Sequence, residues 1–309
     1  AGRGGVGSGE EERYLYERHP EFEVFPTLPC IYSFYGTMLE RVVYDPTMTR
    51  EEVKAPYQTP VPGFPPVEAY QYLDAERYIH LKQPLPADGA SSMVLTSRHV
   101  RIEDKRKGTL VETEHVLTRE ALGVEGRLGP LPDALEESVI ARMLTGCFIR
   151  GLSGFESAGS STGILGVKCR VPDRPCDVEL EETTDPAIAF LYRLSGDMNP
   201  LHVDHEIATL GGLERPIMHG LCTMGIAARH ALSAIRSSSS SSSSSAETPV
   251  KMNAMKVRFA APVLPGSTLV TSVWFDGTDP SAGRLRLSMR EKESQRVVLN
   301  QAYMEFEAH

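Results

Sequence analysis

Between Tyr192 and Gly220 the chain reads Tyr192-Arg-Leu-Ser-Gly-Asp-Met-Asn-Pro-Leu-His202-Val-Asp204, then Gly211-Gly212, then Pro216-Ile-Met-His-Gly220. An acid, an amide and an imidazole (Asp197, Asn199 and His202) fall within six residues. Pro200 lacks an N–H and pushes Asn199 towards extended geometry, so the segment bends and the three side chains can converge. From His219 to Ile235 the chain is apolar with small residues, the composition and length of a mostly buried helix. Gly220 then lies in the first turn, where N–H groups have no intrahelical partner and carry the positive end of the dipole. Its missing Cβ lets a ligand carbonyl approach the backbone. A proton acceptor, a proton donor and an oxyanion donor thus sit in one segment, the set that adds or removes water across a double bond beside a carbonyl.

Upstream of this segment, residues 176–184 alternate as an opening strand. Asp185-Pro186 has the form of an N-cap followed by Pro at the first helical position, ahead of a helix over 187–194 that delivers Gly196-Asp197. Downstream, the Ser run of 237–245 opens a flexible, low-complexity insertion over 237–248. Strands are expected at 251–263, 268–276, 284–290 and 296–306. The first half repeats the plan: an aromatic helix candidate at 28–39, a Pro-rich and charged surface loop at 47–66, then strands at 77–81, 92–102, 109–117 and 138–149. The Gly- and Ser-bearing stretch of 151–175 reads as a linker. These boundaries divide the chain into 1–150, a linker of 151–175, and 176–309, within an α+β protein.

Composition narrows the function classes. The 309 residues suit two domains of ordinary size, and 41% hydrophobic with 24% charged residues is a globular balance. A net charge of −9 argues against a nucleic-acid partner, and an anionic ligand needs a local basic patch. The 5 cysteines are odd in number and lack CxxC spacing, so they read as thiols in a reducing compartment. No apolar run approaches the ~20 residues of a membrane span. Ala1 to Gly9 has neither an initiator Met nor an apolar targeting core, as in a processed or partial chain.

A lone Gly-Asp or Asn-Pro marks only a turn, but the whole string from Tyr192 to His202 resembles the hydratase 2 signature of the MaoC-like hot dog superfamily. The resemblance continues from Gly211 to Thr223, resumes from Val257 to Gly266, and covers nearly the whole chain. It implies a double hot dog fold, two units that each wrap an antiparallel sheet around a helix, with the first unit holding the acyl chain and the second carrying the chemistry. It also implies (3R)-specific hydration of trans-2-enoyl-CoA to (3R)-3-hydroxyacyl-CoA in β-oxidation. Carried over residue by residue, it makes Asp197 and His202 the acid/base pair, Asn199 their positioning partner and the Gly220 N–H the oxyanion donor. Met198, Pro200, Leu201, Phe259, Lys105, Asp74 and Ala75 fall at substrate-contacting positions. No metal and no cofactor are implied, CoA being part of the substrate. A homodimer and a peroxisomal setting are implied as well, with the cytoplasm as the alternative, since the visible end at His309 is not of the Ser-Lys-Leu type.

One departure stands out. Relatives commonly have His-Gly-Glu-Gln where this chain has Asp74-Ala-Glu-Arg77, so backbone contacts there can survive while side-chain contacts change. His202 and His205 have an i, i+3 spacing but lack further nearby ligands for zinc, and His219 reads as a packing or capping residue. The competing functions are a hot dog acyl-CoA thioesterase, a catalytically silent acyl-CoA-binding protein, and a dehydratase acting on a carrier protein. Replacing residues 237–245 by a short Gly/Ser linker is expected to leave turnover nearly unchanged, because the tract has no periodicity and no group suited to catalysis. A drop in kcat beyond about tenfold in a folded variant would give the tract a role.

Overall fold

In the computed structural model the described residues are 9–34, 65, 67, 71–88, 92–119, 136–154, 156–239, 250–277 and 282–308. Four strands come from the first half: β1 (Tyr72–Leu81), β2 (Val94–Asp104), β3 (Gly108–Thr118) and β4 (Val139–Arg150). A two-residue β5 (Ala158–Gly159) precedes β6 (Val178–Thr183), β7 (Val250–Phe259), β8 (Thr268–Phe275), β9 (Ala282–Glu291) and β10 (Val297–Ala308). All ten join one antiparallel sheet in the order β5-β2-β3-β4-β1-β7-β10-β9-β8-β6, so the two halves meet where β1 pairs with β7. The edge strand β6 alternates half-buried Val178, Leu180 and Glu182 with exposed Glu179, Glu181 and Thr183, as a strand with one wetted face must.

Among the described residues the α-helices are α1 (Gly9–Leu15), α2 (Ile188–Tyr192), α3 (His205–Leu210) and α4 (Gly220–Ser239). The α4 helix lies against β7, β8, β9 and β10. Ala227, Ala228 and Ala231 are fully buried on it, and their small side chains let the helix axis approach the sheet while Met224, Leu232 and Ile235 fill the core. This is the α+β, double hot dog plan, with α4 as the helix of the second half.

Three expectations need correction. The 28–39 helix is represented among the described residues by a 3₁₀ helix over Leu28–Phe34, with Pro29, Cys30 and Ile31 buried and residues 35–39 outside the described set. Pro29 has no N–H to give, and the Ser33 hydroxyl donates to the Cys30 carbonyl, a local bond that competes with the α-helical pattern. The 151–175 linker is tied to the sheet: β5 pairs with β2, and in the strap beyond it the Gly166 N–H and the Val167 carbonyl bond to Glu76 and Lys256. The Ser tract begins one turn late, because Ser237–Ser239 continue α4, with the Ser237 and Ser238 hydroxyls donating to the carbonyls of Ser233 and Ala234. Residues 240–249 lie outside the described residues, as does the 47–66 loop apart from Pro65.

The strap is held by a buried ion pair. Lys256 on β7 is fully buried, and its Nζ sits 2.9 Å from Glu76 Oε2 on β1 and donates to the Val167 carbonyl at 3.1 Å. Glu76 also accepts from the Gly166 N–H at 2.9 Å and from Arg258 at 3.3 Å. One carboxylate therefore joins both halves and the segment between them. No helix among the described residues is long and apolar enough to cross a membrane.

Candidate active site

The signature segment bends as its sequence requires. Helix α2 ends in a 3₁₀ turn over Arg193–Ser195, and Gly196 at φ 126° reverses the chain where a side chain would be strained. Asn199 at φ −53°, ψ 120° precedes a 3₁₀ turn over Pro200–His202 and accepts the Leu201 N–H at 3.0 Å through Oδ1. Asp197 Oδ1 accepts the Asn199 N–H at 3.3 Å. Asp204 then caps α3 through the N–H groups of Glu206 and Ile207.

His202 reaches across to the loop before α4, where its Nδ1 lies 2.8 Å from the Ile217 carbonyl. A carbonyl only accepts, so Nδ1 carries the proton and Nε2 keeps its lone pair. The His219 ring stacks on the His202 ring with centroids 3.7 Å apart and 29° between planes. Its Nε2 donates to the Asp197 backbone carbonyl at 3.1 Å. His219, fully buried, therefore touches both members of the expected acid/base pair. Asp197, His202 and His219 offer ligand atoms within 4.8 Å of one another, a donor set that also occurs around metals. Two of the imidazole nitrogens are already committed, His202 Nδ1 to the Ile217 carbonyl and His219 Nε2 to the Asp197 carbonyl, which leaves His202 Nε2 and the Asp197 carboxylate for the cavity.

Burial shifts the two groups in opposite directions. Asp197 is 6% exposed, and desolvation raises its carboxyl above the usual range, only partly opposed by His202 and the Asn199 N–H. Desolvation lowers His202 below the usual imidazole value, opposed by Asp197. Two groups that start apart are thus drawn together, which favours passing protons to and from one substrate.

Asp197, Asn199, Leu201, His202, Gly220 and Phe259 line one cavity of about 900 Å³. Gly220 opens α4, so its N–H has no partner within the helix. A Cβ there would sit 3.3 Å from the Phe259 ring, so a larger residue would press on that ring where helix meets strand. Asp74 lines the same cavity, with both carboxylate oxygens 3.0 Å from Arg77 Nε. Other expected contacts fall outside it. Lys105 lies exposed after β2 with Nζ 2.6 Å from Glu103, Ala75 lies in the irregularity between Asp74 and Glu76, and Met198 is packed in the core. Pro200 shapes the turn without lining the cavity. For Lys105 the reason is register: the turn projects beyond the last cavity-lining pair, Ile102 and Val111.

The first half adds residues that the motif does not contain. Arg77, Ser97, His115 and Thr145 line the cavity from four different strands. The available signal was polar residues at alternating strand positions, such as Ser97 and His99 or Thr113 and His115, where a core face would be apolar. Burial pushes His115 down to about 3 and His219 to about 2. Below about pH 6.5 the unfolded chain takes up a proton at each site while the folded protein does not, so each contributes stability above that pH that is lost on acidification, at about 1.4 kcal/mol per pH unit. His115→Gln is expected to flatten the fall of Tm between about pH 6 and pH 4. An unchanged slope in thermal unfolding would mean that His115 is not held neutral.

Comparisons with known proteins give the family. The MaoC like domain family matches residues 168–295. The mouse peroxisomal multifunctional enzyme type 2 is 30% identical over 97% of this chain, which spans 35% of that protein's length. The peroxisomal enoyl-CoA hydratase 2 of Arabidopsis thaliana is 28% identical, covering 94% of this chain and 81% of its own. The 3-hydroxyacyl-thioester dehydratase Y of Mycobacterium tuberculosis is 32% identical over 76% of this chain and 73% of its own. The crystal structure of a MaoC-like dehydratase from Phytophthora capsici superposes with a TM-score of 0.71 at 28% identity, covering 96% of this chain and 86% of that one. With a MaoC-like domain matched over residues 168–295 and a dehydratase relative 32% identical over most of both chains, the chain belongs to the MaoC-like dehydratase family.

Proposed function

We propose that this chain adds water to trans-2-enoyl-CoA to give (3R)-3-hydroxyacyl-CoA, and runs the reverse dehydration, as a hydro-lyase of fatty acid β-oxidation. The observation that carries the proposal is that a buried carboxylate and an imidazole with a free Nε2 face the same cavity as the N-terminus of α4. Water is a poor nucleophile, so a base must remove its proton as oxygen meets C3, and an acid must protonate C2. Asp197 and His202, with ligand atoms within 4.8 Å, can hold one water between them and exchange these two protons. The thioester oxygen gains enolate character between the steps, and the Gly220 N–H is its donor, with the helix dipole behind it. Asn199 acts through the bend, fixing the loop that spaces the pair.

The substrate is an acyl-CoA thioester. Arg150 supports an anionic ligand: it lines the cavity, donates to the Gly211 carbonyl and pairs with no carboxylate among the described residues. No cofactor or metal takes part in the proposed steps. Names of relatives support a peroxisomal setting, and pairing of two chains into a homodimer completes the proposal. The decisive assay follows enoyl absorbance and free thiol together with crotonyl-CoA and decenoyl-CoA, with chiral analysis of the product. Loss of absorbance without free CoA, giving the (3R) alcohol, is expected. Release of CoA would favour a thioesterase, and binding without turnover a silent acyl-CoA carrier.

A further inference from the structure

The cavity wall contributed by the first half is polar, and its polarity is ordered. Strand register sets His99, Thr113, Thr145 and Arg77 in a row across β2, β3, β4 and β1, ending opposite Val257 on β7. Val257 is two residues from Phe259, whose ring adjoins Gly220. The row therefore starts beside the thioester end of the site and runs away from it for three strand spacings, about 14 Å.

Hydrogen bonds link this wall into a chain. Arg77 Nη1 donates to Thr145 Oγ1 at 2.7 Å, Thr145 Oγ1 lies 3.1 Å from His115 Nε2, and His115 Nδ1 lies 2.7 Å from Ser97 Oγ. Arg77 can only donate, and His115, held neutral by burial, has one N–H. Four hydrogens, from Arg77 Nη1, Thr145, His115 and Ser97, meet three links, so one hydroxyl hydrogen is left over. Two arrangements satisfy the links; in the one where Thr145 donates to Nε2, His115 donates from Nδ1 and the spare hydrogen is on Ser97, whose exposed side chain lines the cavity. A purely hydrocarbon tail would leave that donor without a partner.

We propose that the Ser97 end of this chain is a subsite for a neutral acceptor oxygen, a ketone or an alcohol, carried on the acyl group far from the thioester. It rests on the acyl-CoA reading given above. A carboxylate is disfavoured there because the guanidinium groups nearest the row already face carboxylates, Arg77 with Asp74 and Arg98 with Glu114. The Asp74-Ala-Glu-Arg77 sequence supplies the anchor: the Arg77 side chain, paired with Asp74 and almost fully buried, donates to Thr145 Oγ1 and leaves the Thr145 hydrogen for another acceptor.

The test compares dodecanoyl-CoA with 11-oxo-dodecanoyl-CoA by calorimetric binding, and the matching trans-2-enoyl pair by hydration, in the natural protein, Ser97→Ala and Ser97→Thr. The oxo compound is expected to be preferred by about tenfold in Kd and in kcat/KM, with the preference lost in Ser97→Ala and kept in Ser97→Thr. Equal binding of the two saturated compounds, or a preference that survives Ser97→Ala, overturns the subsite. A retained, Ser97-dependent preference in binding without hydration of either enoyl compound overturns the proposed reaction and leaves the subsite standing.

Discussion

His202→Gln lowers kcat for enoyl-CoA hydration by at least about 100-fold while the protein stays folded, and Asp197→Asn does the same; this is the expected result if the two groups act on one water and one enolate. The magnitude follows from general acid–base catalysis, which contributes about 10²–10⁴-fold. Each variant removes a step its partner cannot perform, so the double variant is expected to be little worse than either single one. Binding of a saturated acyl-CoA changes little, since neither side chain is assigned to the CoA moiety. The bland alternative is that Asp197 only accepts the Asn199 N–H and His202 only packs against His219. In that case Tm falls and turnover per folded molecule survives. Measuring kcat beside Tm separates the two, and near-normal hydration by a well-folded His202→Gln protein would sink the assignment.

The second large effect lies at the seam between the halves. Glu76→Ala leaves the fully buried Lys256 ammonium with the Val167 carbonyl as its one partner among the described residues, and removes the acceptor for the Gly166 N–H. Breaking one side of a buried pair typically destabilises by about 3–5 kcal/mol, because the remaining charge is uncompensated. In a protein of this size that corresponds to a Tm lower by roughly 10 °C. The partner variant makes the argument specific: adding Lys256→Met removes the stranded charge and is expected to restore most of the loss. If the double variant is as unstable as the two single losses summed, the damage comes from packing and the ion-pair account fails.

The same seam marks where sequence patterns stop being informative. Lys256 lies in a stretch that reads correctly as a strand, but nothing in its alternation says that a lysine there is completely buried. Its burial depends on Glu76, 180 positions away, and on a strap that composition presents as a linker. Lys105 is the converse: a basic cluster suggests phosphate contact, while register places it in a turn beyond the cavity, already paired with Glu103. His219 reads as a neighbour of Gly220 that packs, and it does pack, but against the two groups expected to do the chemistry.

What the sequence by itself determined was local. The bend at Asn199-Pro200, the helix start at Gly220 and the alternating strands depend on residues within a few positions of one another, through backbone restriction, capping and periodicity. The candidate pair Asp197 and His202 was legible for the same reason, since five positions separate them. What only the tertiary structure decided were the contacts set by strand register and helix docking: the polar chain from Arg77 to Ser97, the closeness of Phe259 to Gly220, and the single sheet joining both halves through β1 and β7. Those pairings are chosen by the burial of whole faces at once, and a shift of one residue would turn every side chain of a strand to the opposite side.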